Sequence, residues 1–247
     1  MKRKVYFICL LVILYFVTSF SISTFKKENV IYFGETTKVI VSKNSFKIVD
    51  DNKKINNKKV KILFNNKFID AYLYSSNDFN YNRIIYYAIT ENKEKLSLYN
   101  NLLAYSNDVN TKFYDLTIYN NIYSEDETLI RKFISEKNLS LDNISNIKRI
   151  SFDLDKDSKK ENIYTISIIE NKYFYTYNFI VDDEINVISE SMDKNASVKK
   201  KYDNIYKIID INNDNNYEIV MVRNNGEDEA LTYRFYKYVN DEVVRIK

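Results

Sequence analysis

Two acidic stretches with the same spacing constrain the fold of this chain more than any other feature of its sequence. The first covers residues 153–161 (DLDKDSKKE) and the second covers residues 210–218 (DINNDNNYE). In each stretch an oxygen-bearing side chain stands at positions 1, 3 and 5, and a Glu stands at position 9. Carboxylates this close repel one another by about 1 kcal/mol per pair in water, and by more once they are partly buried. Each stretch is therefore expected to form a loop around a cation, with an acidic, solvated turn as the alternative.

Calcium suits this spacing because it takes about six to eight oxygen ligands at roughly 2.3–2.6 Å. A tight loop can aim alternate side chains at one point and add a backbone carbonyl at position 7. The first predicted site consists of Asp153, Asp155, Asp157, the carbonyl of Lys159 and Glu161. The second predicted site consists of Asp210, Asn212, Asp214, the carbonyl of Asn216 and Glu218.

Neither loop is an EF-hand, which needs a Gly at position 6 and a bidentate Glu at position 12. Position 6 is Ser158 in the first loop and Asn215 in the second, and position 12 is Tyr or Met. The apolar runs that follow, residues 163–169 and 219–222, are rich in β-branched residues and predict strands in place of the outgoing helix.

An internal repeat extends beyond the two loops within residues 146–247. The loops are about 57 residues apart, and residues 176–179 (TYNF) match residues 232–235 (TYRF) at nearly the same offset. Residues 183–185 (DEI) similarly match residues 241–243 (DEV). Each unit is predicted to run strand, acidic loop, strand, turn, strand, tight turn, strand. Four-stranded units at a period of about 50 residues are typical of propeller blades.

The two loops, each followed by an apolar strand, resemble the FG-GAP/VCBS type of repeat. Such repeats form the calcium-binding blades of integrin-alpha-like propellers and of many bacterial surface proteins. The resemblance implies propeller-like, calcium-binding units across residues 146–247. A closed propeller needs about four blades or more, and residues 25–145 contain no acidic loop of this kind. An α+β arrangement of open sheets with helices is therefore the alternative to a closed propeller.

The N-terminus carries a membrane-insertion signal over residues 1–24. Residues 2–4 (KRK) are basic, and residues 5–22 are uncharged over roughly 27 Å of helix. We expect a retained, single-pass anchor with its N-terminus in the cytoplasm and the rest of the chain outside. The alternative is a signal peptide cleaved after residues 21–23 (SIS), which would make the protein secreted.

Residues 25–145 are predicted to be rich in β-strands with one or two helices. Asn65 and Asn66 stand between two strand-like runs that predict a hairpin, and residues 83–90 and 116–123 predict further strands. Residues 124–127 (SEDE) match a capping box, followed by apolar residues at helical spacing up to about Asn138. Residues 91–105 form a second predicted helix. The predicted fold class is mainly β with a few helices, divided into residues 1–24, 25–145 and 146–247.

Charge and composition exclude several classes of function. Without the basic residues at positions 2–4, 37 − 3 = 34 basic residues balance 34 acidic ones, which argues against electrostatic binding to nucleic acid. The chain has one Cys and no His, so it has no intramolecular disulfide, no catalytic triad with His and no histidine-bound zinc.

The sequence therefore predicts a membrane-anchored, extracellular, calcium-stabilised binding protein, either adhesin-like or a sensory ectodomain. Its expected partners are an extracellular protein or a glycan, and no catalysis is expected. The alternative is a secreted hydrolase or a carbohydrate-binding module that uses these carboxylates. Paired carboxylates can cleave glycosides, but they do so from opposite sides of a substrate.

Overall fold

The fold is that of a computed structural model of the chain. All of the strands and the helix given below lie within the residues that this structure describes. The described residues are 29–34, 37–42, 45–50, 54–64, 67–78, 83–97, 103–106, 111–114, 116–194, 202–224 and 231–246. The strands of the first half are β1 (Asn29–Phe33), β2 (Thr37–Ser42), β3 (Ser45–Asp50), β4 (Lys58–Phe64), β5 (Lys67–Asp78), β6 (Arg83–Thr90), β7 (Lys95–Ser97), β8 (Leu103–Tyr105), β9 (Lys112–Phe113) and β10 (Ile118–Tyr119). Helix α1 (Glu127–Glu136) and a 3-10 turn (Leu141–Asn143) follow. The remaining strands are β11 (Ile144–Phe152), β12 (Glu161–Glu170), β13 (Tyr173–Val181), β14 (Ile185–Asp193), β15 (Tyr202–Asp210), β16 (Glu218–Asn224), β17 (Thr232–Val239) and β18 (Glu242–Ile246).

The strands form three antiparallel sheets. The N-terminal sheet has eight strands in the order β3-β2-β1-β8-β4-β5-β6-β7. The first repeat sheet has the order β10-β11-β12-β13-β14, and the second repeat sheet has the order β18-β17-β16-β15-β9. Among the described residues none of these sheets closes on itself. The prediction of a mainly β fold is confirmed.

Each repeat sheet contains four consecutive strands in the order that the internal repeat predicts. The first acidic stretch connects β11 to β12, and the second connects β15 to β16. A fifth strand is added at the same place in both sheets, since β10 pairs with β11 and β9 pairs with β15. Both added strands come from residues 112–119. This short segment therefore contacts the first strand of both repeats. The boundary between residues 25–145 and 146–247 stays a prediction.

Asparagine makes turns for which most chains use glycine. Asn171 and Lys172 both have positive φ (51° and 70°) and join β12 to β13. Asn240 and Asp241 (φ 51° and 60°) join β17 to β18 in the same way. Two positive φ values in a two-residue loop define the hairpin turn whose twist matches that of its strands, and Asn tolerates this region better than most residues.

The hydrophobic core is layered, with the second repeat sheet in the middle. Phe33 of the N-terminal sheet packs on Phe235 of the second repeat sheet, with ring centroids 5.0 Å apart. On the other face, Met221 shares a buried cluster with Ile163 of the first repeat sheet. Helix α1 covers the outer face of the first repeat sheet through Ile134. Strand β16 alternates between the two faces and is buried on both, which explains its continuous apolar sequence.

The helix predicted after residues 124–127 is confirmed as α1, but the prediction of a capping box is wrong. The N-terminal cap is Asp126 in place of Ser124, and no side chain caps the helix. The Asp126 carboxylate instead accepts hydrogen bonds from Asn162 Nδ2 (2.9 Å) and Tyr164 OH (2.6 Å). These bonds attach the start of the helix to β12, so a contact across the fold replaces the local cap.

The second predicted helix, residues 91–105, is also wrong, because its described parts form β7 and β8. Lys93 has a φ of 64°, and a turn at this residue pairs β7 with β6. The hairpin at Asn65 and Asn66 has the predicted pairing, from Phe64 opposite Lys67 onward. The strand at residues 83–90 is confirmed, whereas residues 116–123 contribute only β10.

No helix in the described part of the chain has the length and apolar character needed to cross a bilayer. The predicted membrane segment, residues 1–24, lies outside the described residues.

The layered core leads to a prediction for Phe235, which is fully buried. Replacing Phe235 by Ala removes the ring between the N-terminal and second repeat sheets and is expected to lower the free energy of unfolding by about 3–5 kcal/mol. Denaturant unfolding measures this loss. Val244→Ala, on the half-exposed face of β18, is the control and should cost less than about 1 kcal/mol. Equal losses for the two variants would contradict the layered packing.

Candidate cation site

The first acidic loop brings three of its predicted ligands together. Oxygen atoms of Asp153, Asp155 and Glu161 all lie within 4.8 Å of one another. Asp153 directly follows β11 and Glu161 begins β12, and the register of these strands holds the two ends of the loop side by side. Lys156 and Ser158 have φ values of 70° and 77°, which fold the intervening chain back on itself.

Glu161 closes the loop from inside the protein. Its side chain is only 2% exposed, and its Oε2 accepts the N–H of Leu154 at 2.6 Å. The Oδ1 atom of Asp153 is also buried and has no hydrogen-bond partner among the described residues. Buried carboxylate oxygens are usually hydrogen-bonded or bound to an ion. The inner side of this loop therefore has oxygen atoms available to coordinate a cation.

The electrostatics of the loop favour a positive ligand. The pKa of Glu161 is raised to about 7, mainly by burial, although the Leu154 N–H opposes this shift. The carboxylates of Asp155, Asp182 and Asp153 also raise the pKa because each repels a second negative charge. Among the ion pairs that join described residues, none involves a carboxylate of the three-residue cluster.

Two other predicted ligands of the first loop have different contacts. The carboxylate of Asp157 is exposed, and its Oδ1 accepts the N–H of Lys159 at 2.6 Å. The ammonium of Lys159 contacts Asp182 at 2.7 Å and Asp183 at 3.2 Å. Hydrogen bonds to these two carboxylates raise the pKa of Lys159. Asp157 is outside the cluster, and coordination by the Lys159 carbonyl stays a prediction.

The second loop has the same backbone frame as the first. Glu218 is fully buried, and its Oε2 accepts the N–H of Ile211 at 2.9 Å, as Glu161 does with Leu154. Positive φ values fall at Asn213 and Asn215, which are the positions that Lys156 and Ser158 hold in the first loop. This agreement indicates that the internal repeat extends to the conformation of the loops.

A lysine of β17 lies against the buried Glu of the second loop. Lys237 Nζ lies 2.9 Å from Glu218 Oε1. Burial raises the pKa of Glu218, and the Ile211 N–H and the Lys237 ammonium oppose that shift. Asp210 is fully buried, and its two oxygens accept the N–H groups of Asp214 and Asn215, each at 3.0 Å.

The remaining predicted ligands of the second loop bond to one another. Asn212 Nδ2 donates to Asp214 Oδ2 at 2.9 Å, and the N–H of Asn216 donates to Asp214 Oδ1 at 2.8 Å. Burial raises the pKa of Asp214, but these hydrogen bonds outweigh it and the pKa is lowered overall. Lys237 already offsets the charge of Glu218, so the second loop is a weaker candidate than the first.

Sequence reasoning missed the residues that distinguish the two loops. Glu218 pairs with Lys237 across β16 and β17. In the first repeat Asn162 pairs with Val181, so the register places Asp182 beside Glu161. The equivalent position is therefore a base in one repeat and an acid in the other. The sequence predicts the two hairpins in which these residues lie. Only the strand register shows which residue of the second strand faces each Glu.

Both loops lie at one edge of the stacked repeat sheets. Lys156 Nζ of the first loop lies 4.8 Å from the ring centroid of Tyr217 in the second. A cleft of about 430 Å³ lies between the two loops and the turn that joins β17 to β18. The cleft gives solvent and solutes access to the edge of the first loop at Asp155.

Comparison with family models, with curated proteins and with solved structures finds no match for this chain. The resemblance to FG-GAP/VCBS repeats therefore stays a prediction that depends on the loops and the strands themselves.

The raised pKa of Glu161 predicts how stability depends on pH without a cation. The folded pKa of about 7 lies above the ordinary value of 4.5, so folding favours the protonated form. This contribution is fully present below pH 4.5 and is lost as the pH rises through about 7. In EDTA we expect the free energy of unfolding to fall over this range by up to about 3 kcal/mol, less the part that water screens.

Denaturant unfolding at several pH values tests this expectation. Glu161→Gln keeps an acceptor for the Leu154 N–H but removes the charge, so its profile should be flatter. Glu136→Gln, at the exposed end of α1, should keep the wild-type profile. A Glu161→Gln profile as steep as that of the wild type would contradict the assignment.

Proposed function

We propose that this protein is a membrane-anchored, outward-facing binding protein whose repeat region is stabilised by calcium. The observation that carries the calcium part is the cluster formed by Asp153, Asp155 and Glu161, whose oxygens lie within 4.8 Å of one another. A divalent cation at this point offsets the repulsion between the three carboxylates and provides a partner for the buried Oδ1 of Asp153. It also converts a loop that opposes folding at neutral pH into one that supports it, because ligand bound only by the folded state stabilises that state.

Calcium fits this donor set better than other common metal ions. The cluster offers only oxygen, whereas zinc sites in proteins use mainly sulfur and nitrogen. Magnesium demands a near-ideal octahedron, and calcium accepts irregular shells that include carbonyls and water. Extracellular calcium modules bind at about 10⁻⁴–10⁻³ M, which matches an outward-facing domain.

The arrangement of the repeats supports propeller-like units of the FG-GAP/VCBS type. Each unit has four antiparallel strands, with an acidic loop after the first strand. The proposed anchor is the apolar segment within residues 1–24, and cleavage of that segment would yield a secreted form. Stacked repeats of this kind suit contact with an extracellular protein or a glycan, as in an adhesin or a sensory ectodomain.

The burial of Glu161 favours binding over catalysis. Carboxylates that hydrolyse glycosides flank the substrate and stand about 5 Å or more apart. Glu161 is 2% exposed, and its carboxylate converges with its neighbours on one point inside the loop. The raised pKa of Glu161 would suit a general acid, but Glu161 does not line the cleft. A hydrolase or a carbohydrate-binding module is therefore the less favoured proposal.

Calcium titration by isothermal calorimetry tests the first site. Asp153→Asn keeps the shape of the side chain but removes one charged ligand, and we expect calcium affinity to fall about tenfold or more. In EDTA the same variant should be at least as stable as the wild type, because it relieves repulsion within the loop. Asp157→Asn is the matched control from the same loop, and its affinity should stay within about threefold of the wild type. Wild-type protein that releases no heat with calcium would refute the site.

Lys237→Met tests how the second loop is neutralised. Removing the ammonium leaves Glu218 buried and unpaired, so the free energy of unfolding in EDTA should fall by about 3–5 kcal/mol. Calcium should restore part of this loss, because the vacated position becomes available to a cation. Thermal unfolding with EDTA and with excess calcium measures both effects. Lys132→Met, on the exposed side of α1, is the control and should change neither value. A Lys237→Met variant as stable as the wild type in EDTA would contradict the role of Lys237.

A further inference from the structure

One buried hydroxyl of the second repeat sheet has no partner among the described residues. Tyr238, on β17, is 6% exposed, and its OH group is inaccessible to solvent and makes no hydrogen bond. A buried hydroxyl without a partner costs free energy, and native proteins keep few of them. Such a group indicates a ligand or a bound water molecule that completes it.

The surroundings of Tyr238 are acidic and include residues of the first loop. Its side chain packs in one buried cluster with Leu154, the second residue of the first loop. Tyr238 also lines the cleft of about 430 Å³ together with Asp155, one of the three clustered carboxylates. Burial raises the pKa of Tyr238, and four carboxylates raise it further, those of Asp182, Asp241, Glu161 and Asp155. The hydroxyl therefore belongs to the second repeat but lies within the field of the acidic cluster of the first.

We propose that Tyr238 completes the cation site of the first loop by donating a hydrogen bond to a water molecule bound to the cation. This inference rests on the proposed calcium site and assigns it a positioning residue from the other repeat. Calcium sites commonly keep water among their ligands, and residues that bond to metal-bound groups tune the affinity of a site. A neutral phenol is a poor direct ligand for calcium when carboxylates are available, so a hydrogen bond through water is the favoured geometry.

The consequence is that the cation joins the two repeat sheets. Asp153 directly follows β11 and Glu161 begins β12, whereas Tyr238 belongs to β17. A cation held by both sides stabilises the interface between the sheets in addition to the first loop. Calcium should therefore raise the unfolding temperature of the whole repeat region, and the Tyr238 hydroxyl should contribute to this effect only when calcium is present.

Tyr238→Phe in the full chain tests the proposal, because it removes a single oxygen and leaves the ring in place. Isothermal calorimetry with calcium chloride should show affinity about fivefold to tenfold weaker than that of the wild type, the loss expected for one hydrogen bond. The unfolding temperature in EDTA should be equal or higher, because a buried hydroxyl without a partner is gone. Tyr236→Phe, on the same strand and in the same buried cluster, is the matched control and should bind calcium like the wild type.

The two measurements separate the possible outcomes. Equal calcium affinity for Tyr238→Phe and the wild type would overturn the inference but leave the calcium site intact. A lower unfolding temperature of Tyr238→Phe in EDTA would also overturn it, because the hydroxyl would then have a partner within the protein itself. Wild-type protein that binds no calcium would overturn the proposed function, and the inference with it.

Discussion

The hydrogen bond that closes each acidic loop is the interaction on which the rest of the candidate site depends. In both repeats a buried Glu at the start of a strand accepts the N–H of the second loop residue, and this bond draws the loop over its own carboxylate. The same bond places a negative charge in the interior, where charges are stable only when they are compensated. The need for that compensation explains why Lys237 lies against Glu218, and it is the reason why we propose a cation beside Glu161.

The layered packing brings the two acidic loops to one edge of the stacked sheets. The second repeat sheet is buried on both faces, between the N-terminal sheet and the first repeat sheet. Stacking the repeats face to face places their first connections side by side, so that Lys156 reaches Tyr217 and the intervening cleft opens at the same edge. The far part of the interface is polar, where Asn178 Nδ2 donates to the carbonyl of Asp203 at 3.0 Å. Apolar packing near the loops and hydrogen bonds further away give the two sheets one relative position.

Much of the fold could be predicted because strands and tight turns depend mainly on residues that are close together in the sequence. Alternating or continuous apolar runs identified β6, β12 and β16, and the pair Asn65-Asn66 identified a hairpin. The errors occurred where a distant contact outweighed a local preference. Apolar residues within the second predicted helix, residues 91–105, have helical spacing. Pairing with β6 nevertheless makes Lys95–Ser97 a strand. Asp126 similarly bonds to Asn162 and Tyr164 across the fold and does not cap its own helix.

The sequence by itself determined the two loops, their spacing, the strands on either side and the candidate ligands Asp153, Asp155 and Glu161, because these residues are neighbours along the chain. Only the tertiary structure decided which charges each loop faces. Lys237 is far from Glu218 in sequence, but the register of β16 and β17 makes the two residues ion-pair partners. The first repeat has Asp182 at the position equivalent to Lys237. Tyr238 reaches the first loop only because two sheets pack face to face. Contacts of this kind depend on strand register and sheet packing, and spacing along the chain does not specify either one.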